Sequence, residues 1–263
     1  MSEPRLAAAI KDRLRAGNVT TGAWLSLPHV SVGEIVAGAG FDWVVVDTEH
    51  TAVDVSEVLP MILAIERRGA VALVRLASND PVQCKSVMDS GAAGVIVPMV
   101  NTRAEAELAV ASVKYPPQGI RGVGLARAHG YGPGFDSYME AANRDSLVIV
   151  QIEHIEGVNN IEEIVSVPGL DGTFIGPYDL SASLGLAGQL EHPEVVAARQ
   201  RVLEATRSRG LASGVHVVHP ATAEQEMRRR IAEGYQFIAL SSDMLLLGHA
   251  HRELAAMARR MQP

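Results

Sequence analysis

The chain has 263 residues, of which 48% are hydrophobic and 20% charged, and this length and apolar content suit one large α/β domain. Its net charge of −7 comes without a basic patch, which argues against nucleic-acid binding. The lone cysteine, Cys84, excludes an intrachain disulfide and favours a cytoplasmic protein, and no apolar run reaches the roughly 18 residues that a membrane span needs.

Short β-like runs alternate with helical stretches along the chain, a pattern typical of a parallel sheet. A charged amphipathic helix is predicted for residues 1–15. The predicted strands cover residues 21–27, 43–47, 71–76, 94–99, 147–153, 172–175, 213–218 and 237–241. The predicted helices cover residues 30–39, 55–67, 82–90, 103–113, 161–165, 194–209, 223–233 and 244–260.

Several predicted helices end in glycine just before the next strand, where glycine supplies a left-handed C-cap. Eight such units predict an α/β fold of the TIM (β/α)8 type, with residues 1–263 forming a single domain. A doubly wound sheet is the second choice. It would usually carry a Gly-rich phosphate turn after its first strand, and this sequence has none there.

The alternation breaks once, over residues 115–146, which are rich in Gly and Pro. This segment carries Arg121, Arg127, His129 and Tyr131. Long excursions from a barrel are commonly functional, so we expect a long loop over the C-terminal face.

Two carboxylates each follow an apolar run, Glu153 after the fifth predicted strand and Asp179 after the sixth. Acidic oxygens at the C-terminal ends of neighbouring parallel strands predict a site for a hard divalent cation, with positions left open for substrate. The alternative is a solvated carboxylate at 153 and a helix N-cap at 179. The pairing on adjacent strands favours the metal site.

Further polar side chains collect at the same predicted edge, namely Asp47, His50, Arg75 and Gln151. Buried charge is costly unless it is paired or bound to metal, so their convergence points to a functional site. His216 lies inside the seventh predicted strand, and its role stays open. None of the three lysines stands at a strand end, so the sequence offers no Schiff-base lysine and carbanion chemistry would require a metal.

Several strings together resemble the class II pyruvate aldolases related to 4-hydroxy-2-oxoheptanedioate aldolase and the 2-keto-3-deoxy-sugar-acid aldolases. These strings are Asp47-Thr48-Glu49-His50, Val74-Arg75, residues 94–100, residues 115–122, Gln151-Ile152-Glu153 and residues 174–185. The resemblance implies a TIM barrel of the phosphoenolpyruvate/pyruvate superfamily. It also implies a homohexamer, a trimer of dimers, in which subunits exchange the eighth helix.

The resemblance implies a reversible aldol reaction between pyruvate, or a related 2-oxo acid such as hydroxypyruvate, and an aldehyde, through an enolate bound to Mg, Mn or Co. It implies that Glu153 and Asp179 are metal ligands and that Arg75 contacts the enolate oxygen. It implies that His50 is the acid/base group, oriented by Asp89, and that Asp47 and Gln151 position water. The backbone near Tyr178 and Asp179 would hold the substrate carboxylate. Tyr178 departs from the alanine that the family often has there, and His216 from a more apolar stretch.

Two other functions remain open from the sequence: a malyl-type acyl-CoA lyase on the same barrel, and a non-catalytic barrel that binds oxo acids. Helix 244–260 is apolar over more than one stripe, which predicts burial against another subunit and hence a homo-oligomer.

Overall fold

Eight parallel strands form a closed barrel in the computed structural model, which describes residues 3–261. The strands are β1 (Thr20–Leu25), β2 (Trp43–Asp47), β3 (Val71–Arg75), β4 (Gly94–Val97), β5 (Leu147–Ile152), β6 (Gly172–Ile175), β7 (Ala212–Val217) and β8 (Phe237–Ser242). Each strand pairs with the next, and β8 pairs with β1. The predicted TIM-type barrel is confirmed, and no predicted strand boundary moves by more than two residues.

Helices surround the barrel, and all but the first and the last connect consecutive strands. They are α1 (Glu3–Arg15), α2 (Val30–Ala37), α3 (Val55–Arg67), α4 (Pro81–Asp89), α5 (Arg103–Val113), α6 (Phe135–Asp145), α7 (Ile155–Asn159), α8 (Ile161–Ile164), α9 (Pro177–Ser183), α10 (Pro193–Ser208), α11 (Ala223–Glu233) and α12 (Asp243–Arg260). The helix predicted at 161–165 is α8, and the short helix α7 precedes it directly. The predicted N-terminal helix begins at Glu3, and its first two positions lie outside the described residues.

The barrel interior is packed with large side chains near its N-terminal end. The Trp43 ring stacks on Phe237 with centroids 3.9 Å apart, directly over Gly22. A Cβ at position 22 would lie 2.0 Å from the Trp43 ring, so glycine is required there. Helix α1 closes this end of the barrel with Ile10 and Leu14, which leaves the C-terminal end for a site.

The segment 115–146 does not lie over the C-terminal face as predicted. It joins the end of α5 to the start of β5, and in a parallel barrel such connections lie at the N-terminal end. Arg121 donates to Asp89 at the end of α4, and Arg127 donates to the Ser90 carbonyl oxygen. Helix α6 occupies the last third of the segment, which is therefore a structured return to β5.

Helix α12 is attached to the barrel by its first turn. The Asp243 carboxylate accepts hydrogen bonds from the backbone N–H groups of Ser26 and Leu27, both 2.9 Å long. Asp243 is the buried residue of α12, and the leucines that follow it are exposed. Among residues 3–261, no helix is long and apolar enough to cross a membrane.

Candidate active site

A buried ion pair stands at the C-terminal ends of β2 and β3, where the parallel register places Asp47 beside Arg75. Arg75 Nε donates to Asp47 Oδ1 over 2.9 Å, and Nη2 donates to Oδ2 over 2.7 Å. This two-point contact fixes the guanidinium plane and leaves Nη1 to face other groups. The guanidinium also lies over the Trp24 ring, 5.1 Å from its centroid.

Glu49 joins this pair from the loop after β2. Its Oε2 lies 2.9 Å from Arg75 Nη1 and 3.8 Å from His50 Nε2. Burial raises the pKa of Glu49 to about 7, against the lowering effect of Arg75 and with a further rise from Glu153. The His50 side chain is 62% exposed, so its imidazole stands at the mouth of the site, where it can exchange protons with a ligand.

Glu153 follows β5 and is almost fully buried. Its Oε1 accepts a 2.8 Å hydrogen bond from the Met99 backbone N–H, and its Oε2 accepts one from the Gln151 amide. Burial is the main cause of a raised pKa for Glu153, and the negative charge of Asp179 adds to it. Glycine is required at position 176, because a Cβ there would lie 2.3 Å from Glu153 Oε2.

Asp179 lies in the first turn of α9, exposed at the same end of the barrel. Gly176, not Asp179, occupies the N-cap of this helix, so the helix-cap alternative for Asp179 is wrong. The neighbouring Tyr178 points its hydroxyl at His219 Nε2, 2.9 Å away. Asp179 is thus left with its carboxylate free of a capping role.

The donor set at this end of the barrel fits a divalent cation. Asp47, Glu49, Glu153 and Asp179 act on one another electrostatically, and Arg75 is the cation that opposes them. Gln151 Oε1 is buried and makes no hydrogen bond with any described residue. Residues 3–261 contain no group of three or more His, Cys, Asp or Glu side chains placed to hold a metal ion. A cation here would therefore take few protein ligands, and Glu153 and Asp179 are the predicted pair.

His216 faces the barrel interior from β7. Its ring stacks on Trp24 with centroids 5.1 Å apart, and Nε2 lies 3.1 Å from the Ser241 carbonyl oxygen. Burial lowers the pKa of His216 to about 4, so the ring is neutral at pH 7. Because a carbonyl can only accept, Nε2 carries the proton and Nδ1 is an acceptor.

The HpcH/HpaI aldolase/citrate lyase family profile matches residues 20–250, nearly the whole barrel. The chain belongs to this family. The 4-hydroxy-2-oxo-heptane-1,7-dioate aldolase of Salmonella heidelberg (strain SL476) is 42% identical over 250 residues, covering 94% of this chain and 93% of that protein. The family is thus evident from sequence as well as fold, and the Salmonella relative is named as an aldolase, which is a carbon–carbon lyase.

Solved structures of HpcH/HpaI proteins superpose on the chain almost end to end. A family member from Burkholderia cenocepacia J2315 has a TM-score of 0.89 and 35% identity, over 96% of this chain and 99% of its own. Citrate synthase SbnG has a TM-score of 0.82 and 32% identity, over 95% of this chain and 96% of its own. The names of both relatives refer to enzymes that form or cleave carbon–carbon bonds.

One predicted contact of the HpcH/HpaI site is absent within a single chain. Asp89 ends α4 at the N-terminal end of the barrel and pairs with Arg121, whereas His50 stands at the C-terminal end. Asp89 therefore does not orient His50 in this subunit. The acidic group beside His50 is Glu49, to which the family resemblance assigns no role.

Trp24 and His219 also lie at this site, and the sequence does not predict them, because an aromatic residue in a strand and a histidine in a loop carry no distinctive pattern.

The remaining predicted residues converge at one end of the barrel. Asp47, Arg75, Gln151, Glu153, Tyr178 and Asp179 all lie at the C-terminal end of the barrel, on β2, β3, β5 and α9 or immediately after these strands.

Proposed function

We propose that the chain catalyses a metal-dependent, reversible aldol reaction between pyruvate, or a related 2-oxo acid such as hydroxypyruvate, and an aldehyde. The observation that carries this proposal is the Asp47–Arg75–Glu49 ion-pair set beside the carboxylates of Glu153 and Asp179. Its support from relatives is the 42% identity to an enzyme named as an aldolase of this kind.

Glu153 and Asp179 would hold a Mg²⁺, Mn²⁺ or Co²⁺ ion, with Gln151 beside them. When bound, such an ion acts as a Lewis acid that polarises the ketone and acidifies the neighbouring methyl group. The excess of carboxylates over cations in this corner supports the assignment, because a divalent ion offsets charge that burial otherwise makes costly.

Arg75 binds the oxygen on which negative charge develops when the 2-oxo acid loses a methyl proton. Its guanidinium is held in place by Asp47 and Trp24 before substrate arrives, so little reorganisation accompanies the reaction. A group placed where charge appears in the transition state accelerates the chemical step and not binding alone.

His50 takes the proton of the aldol hydroxyl during cleavage and returns it during synthesis. Its exposed position suits transfer to a substrate group or through water. Glu49 Oε2 stands 3.8 Å from His50 Nε2 and is the acidic group nearest to this imidazole. Backbone N–H groups near Tyr178 and Asp179 would hold the substrate carboxylate.

We further propose a cytoplasmic homohexamer, a trimer of dimers, in which subunits exchange α12. The exposed leucines of α12 support this assembly, as does its attachment to the barrel through one turn. An exchanged helix would cover these side chains with a second subunit.

The test of the activity is deuterium exchange into the pyruvate methyl group, followed by NMR, together with a panel of aldehydes. The protein should exchange the methyl protons without any aldehyde and should form an aldol product with some of the panel. Turnover of an acyl-CoA thioester without exchange or aldol product would replace the proposal with an acyl-CoA lyase or synthase.

A further inference from the structure

Three described residues other than glycine adopt a positive φ, and one of them stands at the candidate metal site. They are Met99 at +53°, Tyr131 at +57° and Ser241 at +56°. In this left-handed region the Cβ of an ordinary residue crowds the backbone, so the conformation persists only where the surrounding structure holds it. Met99 follows β4, and its side chain is 47% exposed, so burial of the side chain does not explain the conformation.

Met99 is displaced from the hydrogen-bond ladder between β4 and β5. This ladder begins where the Leu147 N–H donates to the Ala93 carbonyl oxygen. Continued in the observed parallel register, it would have the Met99 N–H donate to the Gln151 carbonyl oxygen. The Val100 N–H takes that acceptor instead, over 3.2 Å, and the Val100 side chain is fully buried. Met99 is therefore the extra residue of a bulge, and its N–H is released from the sheet.

The released N–H of Met99 donates into the candidate metal site. Its acceptor is Glu153 Oε1, 2.8 Å away, and Glu153 Oε2 accepts from the Gln151 side-chain amide. Each carboxylate oxygen is thus held by one donor, which fixes the plane of the carboxylate. An ionised carboxylate has about four lone-pair sites, so each oxygen keeps one for a cation. The bulge therefore supplies one of the two hydrogen bonds that orient Glu153.

We propose that Met99 is a positioning residue for the metal site, because its left-handed backbone aims the N–H at Glu153 and sets the direction in which this carboxylate meets a divalent ion. The inference rests on the proposed aldol reaction, in which Glu153 is a metal ligand. Groups that orient a metal ligand contribute to metal affinity although they do not touch the ion. The role belongs to the backbone of Met99 and not to its thioether, so a side chain that tolerates a positive φ can replace it.

The experiment titrates metal-free protein with Mn²⁺ and measures the affinity by electron paramagnetic resonance. Met99→Val should weaken Mn²⁺ binding about tenfold, because a β-branched residue disfavours the left-handed region and draws the N–H away from Glu153. Met99→Gly should bind Mn²⁺ as the wild type does, since glycine adopts this conformation without strain. The contrast between valine and glycine separates the backbone of Met99 from its side chain.

Tyr131→Val is the matched control, because Tyr131 has the same backbone conformation but lies between α5 and β5, at the other end of the barrel from Glu153. It should lower stability in urea, as Met99→Val does, and leave the Mn²⁺ affinity unchanged. Wild-type affinity in Met99→Val overturns the inference. An equal loss of affinity in Met99→Gly also overturns it, because the thioether would then be the group that matters.

A second measurement needs no substitution at Met99. Hydrogen exchange should show the Met99 amide protected in the wild type and exchanging faster in Glu153→Ala, while the Val100 amide stays protected. Equal protection of Met99 in the two proteins would overturn the inference even if Met99→Val does not fold. Failure of the aldol proposal itself would look different. In that case the wild type would neither bind Mn²⁺ nor exchange pyruvate protons, although the Met99 amide would still be protected by Glu153.

Discussion

Glu49 contacts both Arg75 and His50, the two residues with the main proposed roles in the reaction. Its Oε2 is shared between Arg75 and His50, at 2.9 and 3.8 Å. Arg75 is thus fixed on two sides by acids, whereas His50 has one acidic neighbour and is open to solvent. This arrangement suits a rigid electrostatic group and a more mobile acid/base.

We predict separable effects of replacing the two residues. Arg75→Ala should abolish exchange of the pyruvate methyl protons, with a loss of roughly a hundred- to a thousandfold, because the developing charge loses its partner. His50→Ala should slow carbon–carbon cleavage more than exchange, because its proton belongs to the aldol hydroxyl. NMR exchange and a cleavage assay on the same samples measure both. Equal loss of exchange in the two variants would contradict this division.

Replacing Gly176 tests the metal-binding role of Glu153 without removing the Glu153 carboxylate. Alanine at this position would place its Cβ 2.3 Å from Glu153 Oε2, so the carboxylate must move. We expect Gly176→Ala to weaken Mn²⁺ binding about ten- to a hundredfold, as displaced neighbours of metal ligands do. Gly124→Ala, where a Cβ meets open space, is the control. Wild-type Mn²⁺ affinity in Gly176→Ala would contradict the assignment of Glu153.

At the scale of elements, α1, α5 and α6 meet through two buried lysines at the N-terminal end of the barrel. Lys114 caps α5 and donates to the Ser146 carbonyl oxygen over 2.8 Å, and Lys11 donates to the same oxygen over 3.1 Å. Burial, reinforced by the charge of Lys11, lowers the pKa of Lys114 from 10.5 to about 8.

This shift predicts how stability depends on pH. The pKa is lower in the folded chain than in the unfolded one, so the unfolded chain binds more protons between about pH 8 and pH 10.5. The free energy of unfolding should therefore rise with pH in that window. Lys114→Met should flatten the rise, by an amount on the order of 1–3 kcal/mol, in urea unfolding at several pH values.

The exposed Lys85 supplies the control for this measurement. Lys85→Met should keep the wild-type slope. A wild-type slope in Lys114→Met as well would show that the buried amine does not titrate as described.

The elements that could be predicted from the sequence are those with a strong local pattern. The strands are short β-branched runs, and helices such as α3 begin with a capping box formed by Asp54 and Glu57. Helix α6 was missed because its Gly- and Pro-rich approach resembles a loop. Its position at the N-terminal end follows from chain connectivity, which local composition does not report.

The site was predictable where a carboxylate or arginine ends a strand, as at Asp47, Arg75 and Glu153. Burial that depends on how helices pack was not predictable. Arg199 on α10 and Arg230 on α11 are buried, although no local pattern in the sequence marks them. The contact between His50 and Glu49 was not predictable either, because it depends on how the loop after β2 folds.

At the scale of the whole molecule, α12 leaves much of its apolar surface exposed to solvent. Leu246, Leu247 and Leu254 are 44%, 52% and 58% exposed in the single chain, although they lie on a helix that follows the last strand. Exposed Ile35 on α2 adds apolar surface to the outside of the barrel. Such surfaces are typical of an interface between subunits.

We predict that deletion of the chain from Met244 onward dissociates or aggregates the protein, because the deletion removes the exposed leucines of α12 that the proposed interface uses. Light scattering at low micromolar concentration should find a stable oligomer for the full chain. As a matched control, Arg259→Gln changes the last turn of the helix without removing its leucines, and it should keep the oligomer. A stable, active monomer of the full chain would contradict the assembly.

The proposed aldol chemistry depends above all on a divalent ion held by Glu153 and Asp179. The most direct measurement is titration of metal-free protein with Mn²⁺, followed by electron paramagnetic resonance, with pyruvate exchange measured on the same samples. Glu153→Gln and Asp179→Asn should each weaken Mn²⁺ binding by about tenfold or more while the exposed control Asp136→Asn binds as the wild type does. Added Mn²⁺ or Mg²⁺ should restore exchange to chelator-treated wild type. Full exchange by metal-free protein, or unchanged Mn²⁺ affinity in both ligand variants, would contradict the account.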